Sequence, residues 1–383
     1  MSPDRPHPTE ADELAEYHPF IKRMREIGES YGMSYRDIFW RKATQDNLSF
    51  VASFGLPNRF SHWYFGGIYK NLKIQQDESL ISILELVLNT DPVYAFLLEH
   101  NSLLENLMVI AHVYGHVDFF RNNAWYVKSD RNMLNRCEFH ARTIRELAAT
   151  HGQAKVDDMI EASLTIANTV NPFERDPKKK RERLIYFIRD HTRTLASTTK
   201  KSDPRHTDLK LAHQVLSMMC LEMEYFDLIG RTQIINEGWA SFVEFKILEK
   251  VLKPKEWLEF TLQFSKRPAP YLIGFTLFNA CFRRGGWPEV LQIRNDYEDI
   301  AGAGRHRHHG AEVGRPGATQ EPAGARLRLR TYTAARLTVS SARLIIRSRE
   351  RSRSSPGMAL CVWISSETVR MVSALTRCRA ARV

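Results

Sequence analysis

Residues 101–120 read NSLLENLMVIAHVYGHVDFF. Ser102 is followed three residues later by Glu105, the pairing of a capping box, so the spacing predicts a helix that begins at Leu103. At 3.6 residues per turn, Leu104, Leu107, Ala111 and Gly115 share one face, and Glu105, Val109, His112, His116 and Phe119 share another. The two imidazoles therefore stack one turn apart and point the same way, with the small Ala111 and Gly115 opposite them. Two readings follow: half of a metal site, or a buried helix whose histidines are hydrogen-bonded core residues.

A divalent transition metal needs three or four N, O or S donors converging at about 2.0 to 2.3 Å, and His at i and i+4 supplies two. The zinc-peptidase pattern puts a general-base Glu directly after the first His. Here that position is Val113, so water activation would come from elsewhere or the site is not hydrolytic. The candidate third ligand is Glu237 in NEGWAS (236–241), and the cofactor implied is a divalent metal such as zinc.

In RNMLNRCEFHARTIRELAAT (131–150), helical spacing puts Met133, Cys137, His140, Ile144 and Leu147 on one face and Glu138 at its edge. Glu138 and His140 are thus candidates for ligation, orientation or acid/base work. The plainer alternatives are a Glu138–Arg142 pair, a core His140, and a Glu237 placed at a helix start by the dipole.

Around this centre, 9–33 reads as a helix capped by Thr9. GLPNRFSHWYFGG (55–67) is an aromatic-anchored loop in which Arg59 and His62 read as surface polar groups. SLISILELVLN (79–89) reads as a helix and VYAFLLEH (93–100) as a buried or edge strand. Residues 170–206 are charge-dense, with prolines at 172, 177 and 204, and read as a linker or excursion around the run LIYFI. Residues 209–230 form another helix. Asn236, Glu237 and Gly238 start or interrupt the one after it.

The 383 residues are 43% hydrophobic and 10% aromatic, ample for a core. The formal charge of +11 does not belong to the body. Residues 301–383 hold 16 Arg, no Lys, 4 Glu and no Asp, whereas residues 1–300 hold 39 basic and 40 acidic side chains. The same tail lacks Asn and Phe altogether. This reads as a disordered basic tail or, preferably, a shifted reading frame, because natural disorder keeps Lys and Asp. Nucleic-acid binding by the tail would be non-specific phosphate neutralisation, and the histidines at 306, 308 and 309 carry no site. Five scattered cysteines show no zinc-knuckle or redox spacing. No signal peptide and no run of 18 apolar residues is evident. The expectation is a cytoplasmic chain whose partners are other proteins.

Three stretches in order, GLPNRFSHWYFGG, NTDPVYAFLLEHNSLLENLMVIAHVYGHVDFF and TQIINEGWASF, resemble the stage V sporulation protein R family of bacteria, over residues of about 17 to 300. The family is linked to spore cortex formation, also occurs in bacteria that do not sporulate, and has no agreed biochemical activity. Its His pair matches His112 and His116, and its Asn-Glu-Gly-Trp motif matches Asn236 to Trp239. Members commonly continue that motif with an aromatic residue and then His, where this chain has FVEF, placing Val243 and Glu244 there. They also continue past the point where this chain turns Arg-rich, so a disrupted copy, inactive or unstable as written, is one expectation.

The sequence thus implies a mainly α-helical body (1–300) with a few short strands, a possible zincin-like two-helix site, and an anomalous tail (301–383). The expected function is a role in spore cortex formation or related envelope development. The site would take His112, His116 and Glu237 as ligands, with Glu138, His140 or Glu244 in acid/base roles. The competing expectation is a non-catalytic interaction or scaffold protein without metal.

Overall fold

Residues 13–77, 85–172, 174 and 176–297 are described by the structure, a computed structural model. The tail (301–383), Thr9 and residues 79–84 of the expected helix lie outside them. The described residues form eleven α-helices and three short strands, a mainly α architecture as expected.

Its axis is the helix read first, here α4 (Leu103–Asn122), which follows α1 (His18–Ser30), β1 (Ile38–Ala43), α2 (Gln45–Phe54), α3 (Trp63–Asp77), β2 (Glu85–Leu88) and β3 (Val93–Leu98). The capping box is complete: Ser102 Oγ accepts from the Glu105 amide, and the Glu105 carboxylate accepts from the Ser102 amide. Nearly every side chain from Leu104 to Phe120 is buried, so α4 has no solvent face. A helix apolar all round is a core helix.

Beyond α4 come α5 (Met133–His151), α6 (Gln153–Thr165), α7 (Pro177–Arg181), α8 (Leu184–Thr198), α9 (Pro204–Val251), α10 (Pro254–Phe264) and α11 (Ala269–Asp296). At 48 residues α9 is about 72 Å long. Asp203 caps it by accepting from the Arg205 amide, and Pro204 opens it, where a missing N–H costs nothing. The expected break at Asn236–Gly238 is absent, and α9 runs straight through. Gly238 is there because the α11 backbone passes so close that a Cβ would lie 2.3 Å from Gly274 Cα. Gly115 of α4 does the same against α9, where a Cβ would meet Ala240 Cα at 2.5 Å.

The strands form one sheet in the order β1-β3-β2, with β1 parallel and β2 antiparallel to the central β3. The reading of 79–89 as a helix fails at its described end: Glu85 to Leu88 is β2, paired from Glu85↔Leu97 to Leu88↔Tyr94. A short apolar run has no period that separates strand from helix, and pairing with β3 decides it. Residues 170–206 are largely helical. The run LIYFI opens α8, whose Ile185 and Tyr186 pack with Val170, Leu216 and Cys220. In the aromatic stretch, α3 begins at Trp63, and Arg59 and His62 are buried rather than surface groups.

The glycine crossing gives a direct test. Gly115→Ala should cost about 1–3 kcal/mol by overpacking, read as a lowered urea midpoint. Gly66→Ala, at a helical position with open space around it, should instead be neutral or stabilising by up to about 1 kcal/mol. Equal midpoints for Gly115→Ala and wild type would refute the close crossing.

Candidate metal centre

The α4–α9 crossing sets the site. One turn of α4 carries His112 and His116, the facing turn of α9 carries Asn236 and Glu237, and β2 begins at Glu85. The Nε2 atoms of both histidines turn toward two carboxylates. Glu237 Oε2 lies 3.4 Å from His112 Nε2 and 3.6 Å from His116 Nε2. Glu85 Oε1 lies 3.3 and 4.0 Å from the same atoms. Glu85, His112 and His116 form a compact set in which each offers one ligand atom within 4.8 Å of the others. Donors bonded tetrahedrally at about 2.0–2.1 Å sit about 3.3–3.4 Å apart; the two His112 spacings match such edges, while the two His116 spacings, at 3.6 and 4.0 Å, are longer.

The opposite ring nitrogens are fixed. His116 Nδ1 donates to Asn236 Oδ1 at 3.0 Å, and His112 Nδ1 donates to Glu244 Oε2 at 2.8 Å. Glu244 is itself clamped by Arg267, with Nη2 donating to Oε1 at 2.7 Å and Nη1 2.6 Å from Oε2. Partners of this kind on Nδ1 settle the tautomer and leave Nε2 as the donor atom for an ion. Tyr271 stacks on the His112 ring and Phe120 on the His116 ring, limiting their rotation. All four candidate donor residues are buried, yet His116 Nε2, Glu85 Oε2 and Glu237 Oε1 lack a hydrogen-bond partner. Buried polar atoms left in this state are expensive unless something else occupies the site.

Burial pulls both imidazoles toward the neutral form, with different outcomes. At His112 the pull of burial is outweighed by Glu85, Glu237 and Glu244, and the pKa is raised to about 9. At His116 burial prevails over Glu237, with help from the charge on His112, and the pKa falls to about 4.

The other sequence candidates fall elsewhere. Glu138 is exposed on α5, 3.5 Å from Arg142, and is not brought to the imidazole pair. His140 is buried, and its Nδ1 bonds Glu222 Oε1 at 2.8 Å, while Arg59 Nε donates to Glu222 Oε2 at 2.8 Å. Glu244 reaches the site through His112 Nδ1 and Arg267, which places it behind the imidazole, as a positioning group. Asp118, two residues after His116, bonds the Ser34 amide, the Trp239 indole and Arg294 instead. Val113 occupies the peptidase-base position and is wholly buried. The residues that sequence reasoning missed are Glu85, hidden in a run read as helix, and Arg267, which has no motif around it. Asn236 was marked in the sequence only as part of the Asn-Glu-Gly-Trp motif, without an orienting role, and the role of Arg59 as the partner of Glu222 left no sequence signal.

A cavity of about 20 Å³ borders Glu85 and His116. That suffices for one water molecule.

Fold and site together define a mainly α-helical protein with a buried histidine pair faced by two glutamates. The chain belongs to the family described as SpoVR like protein, whose sequence model matches residues 10–208 and 175–313. It is also similar to an Escherichia coli (strain K12) protein named "Uncharacterized protein YcgB", at 24% identity over 317 residues, which is 68% of this chain and 62% of that protein. The chain therefore spans less than two thirds of that relative's length. No solved structure matches it. Among the described residues no helix is long and apolar enough to cross a membrane.

The two shifted histidines predict a bell-shaped pH dependence for chelator-treated protein. Below about 6.5 the unfolded chain takes up a proton that His116 refuses until about 4, so stability falls as pH drops through that window. Above about 6.5 the folded chain keeps the His112 proton that the unfolded chain has lost, so this contribution disappears as pH rises through about 9. The melting temperature should peak between about pH 6 and 7, and His112→Gln should flatten the alkaline limb. An unchanged alkaline limb in that variant would contradict the assignment.

Proposed function

We propose that this chain is a metal-binding member of the SpoVR-like family, holding one divalent ion through His112, His116, Glu237 and Glu85. The observation that carries the reading is geometric: the Nε2 atoms of His112 and His116 face Glu237 Oε2 (3.4 and 3.6 Å) and Glu85 Oε1 (3.3 and 4.0 Å), and all four residues are buried. A divalent ion held there would give His116 Nε2, which lacks a hydrogen-bond partner, a ligand of its own, and a positive ion beside two buried carboxylates offsets charge that is costly to bury alone. Once bound, such an ion supplies Lewis acidity. The residues around it orient the imidazoles (Glu244, Asn236), support Glu244 (Arg267) and leave a water-sized space beside Glu85 and His116.

On this reading His140 with Glu222 and Arg59 is a separate structural network, and Glu138 takes no part. Family membership supports a cytoplasmic role in spore cortex formation or related envelope development, with protein partners. A scaffold without metal is favoured by one observation, the His112 ion pairs, which partly satisfy the cluster by themselves.

Full-length protein reconstituted with zinc, iron(II) or manganese and then desalted should retain about one ion per chain by mass spectrometry. His112→Ala and His116→Ala should lose it, Glu85→Gln should weaken binding at least tenfold, and Glu138→Gln should leave it unchanged. No ion retained by the wild-type chain from any of the three metals would leave the scaffold reading standing.

A further inference from the structure

The charge of the body is unevenly placed. Residues 177–201 hold 9 basic and 2 acidic side chains, whereas the rest of residues 1–300 hold 30 basic and 38 acidic. This segment is α7, α8 and the start of the turn that leads into α9. Lys178, Lys179, Arg181 and Arg183 stand exposed before α8, and Lys200 and Lys201 stand exposed after it. None of the six forms an ion pair among the described residues. Two neighbouring cations are already taken: Lys180 Nζ lies 2.8 Å from Glu224 Oε1, and Arg189 pairs with Asp190 at 2.9 Å.

Between these cations α8 has two faces. Helical spacing turns Ile185, Tyr186 and Ala196 inward, and Ile185 and Tyr186 pack with Val170, Leu216 and Cys220. The Tyr186 hydroxyl donates to Glu224 at 2.5 Å, and His213 Nδ1 donates to the Arg189 carbonyl at 3.1 Å, so α8 is fastened to α9. The opposite face carries Leu184, Phe187, His191 and Leu195, all exposed, with Phe187 at 56% accessibility. A single exposed leucine is ordinary, but a row of large apolar side chains on one helix face marks an interaction surface.

The partner must be anionic and apolar at once. Nucleic acid supplies phosphate and would use an exposed aromatic ring to stack a base. One face of the Phe187 ring is already taken by His191, with centroids 5.7 Å apart and planes 7° from parallel, and leucines have no π-face to offer. A bilayer of anionic lipid meets both demands, with headgroup phosphates for the flanking Lys and Arg and an acyl boundary for the apolar row. The long stems of those cations let their charges reach the headgroups while the row beside them enters the boundary.

We propose that the outward face of α8, with the basic residues at its two ends, docks this protein on an anionic lipid surface, the helix lying parallel to the membrane plane. The contact is independent of the metal-binding reading. Because α8 is already folded and held by α9, docking orders no new segment.

The full chain is mixed with vesicles of phosphatidylcholine, alone or in equal parts with phosphatidylglycerol, and its lysines are acetylated and read by mass spectrometry. The basic tail is silent in this readout, because residues 301–383 hold no Lys. Lys178, Lys179, Lys200 and Lys201 should be labelled at least fivefold more slowly with anionic vesicles and at an unchanged rate with neutral ones. Lys253 and Lys255, exposed at the far end of α9, should be unaffected by both. The double variant Leu184→Ser, Phe187→Ser should keep the wild-type urea midpoint and label all four lysines at the vesicle-free rate. The triple variant Lys178→Gln, Lys179→Gln, Arg181→Gln should raise at least tenfold the lipid concentration that protects Lys200 and Lys201. Unprotected lysines in wild type, protection by neutral vesicles, equal protection in the serine variant, or protection that spreads to Lys253 and Lys255 would overturn the proposal. Stronger protection by single-stranded RNA at matched phosphate would overturn it in favour of nucleic acid. Protection that grows with protein concentration in the absence of vesicles would overturn it in favour of a contact between copies.

Discussion

The contact on which the rest depends is the crossing of α4 and α9 at Gly115 and Ala240, where no Cβ fits on the glycine. Helix axes usually lie 8–10 Å apart, with the side chains at the contact setting the distance. A glycine facing an alanine allows the close end of that range. The consequence is chemical as well as mechanical. His112 and His116 flank Gly115 on α4, and Asn236 and Glu237 lie within one turn of Ala240 on α9. Short side chains such as Asn236 reach across to an imidazole because the backbones are close, and the Gly238–Gly274 contact holds α9 against α11 on another side.

A crossing this tight also fixes what α9 must be. A helix end at residue 236 would place unsatisfied backbone groups in the middle of the core, since Ile235 to Glu244 are all buried. Continuity removes that cost and frees the polar side chains of Asn236, Glu237 and Glu244 to act toward α4 rather than as caps. Arg267 arrives from the turn between α10 and α11 and is the group that makes a buried Glu244 tolerable. The orientation of the site thus relies on a residue 155 positions away in sequence from the imidazole it serves.

What was readable in the sequence follows from which signals are local. The capping box and the four-residue histidine spacing are encoded within one helix, so the start of α4 and the placing of His112 and His116 side by side, one turn apart, were legible. The Asn-Glu-Gly run was legible as chemistry and misleading as structure, because propensity reads glycine as a break whereas packing against Gly274 uses it as a contact. Glu85 was illegible. It opens a four-residue strand whose identity comes from pairing with β3, and no periodicity marks it. Arg59 is similar: loop composition suggests exposure, and only the approach of Glu222 from α9 explains its burial.

The two buried histidine networks show why burial and a carboxylate partner are insufficient to define a site. His140 meets Glu222, and Arg59 meets the other oxygen of the same carboxylate, so charges and hydrogen bonds close on one another. Against its cationic neighbours Glu222 is held below the usual carboxylate range, burial notwithstanding. That is the pattern of a structural network, complete without a ligand. At His112 and His116 the Nδ1 side is equally closed, but the Nε2 side faces two buried carboxylates, and among the described residues His116 Nε2, Glu85 Oε2 and Glu237 Oε1 have no hydrogen-bond partner. The difference between the two networks lies in these atoms, and a space of about 20 Å³ borders Glu85 and His116.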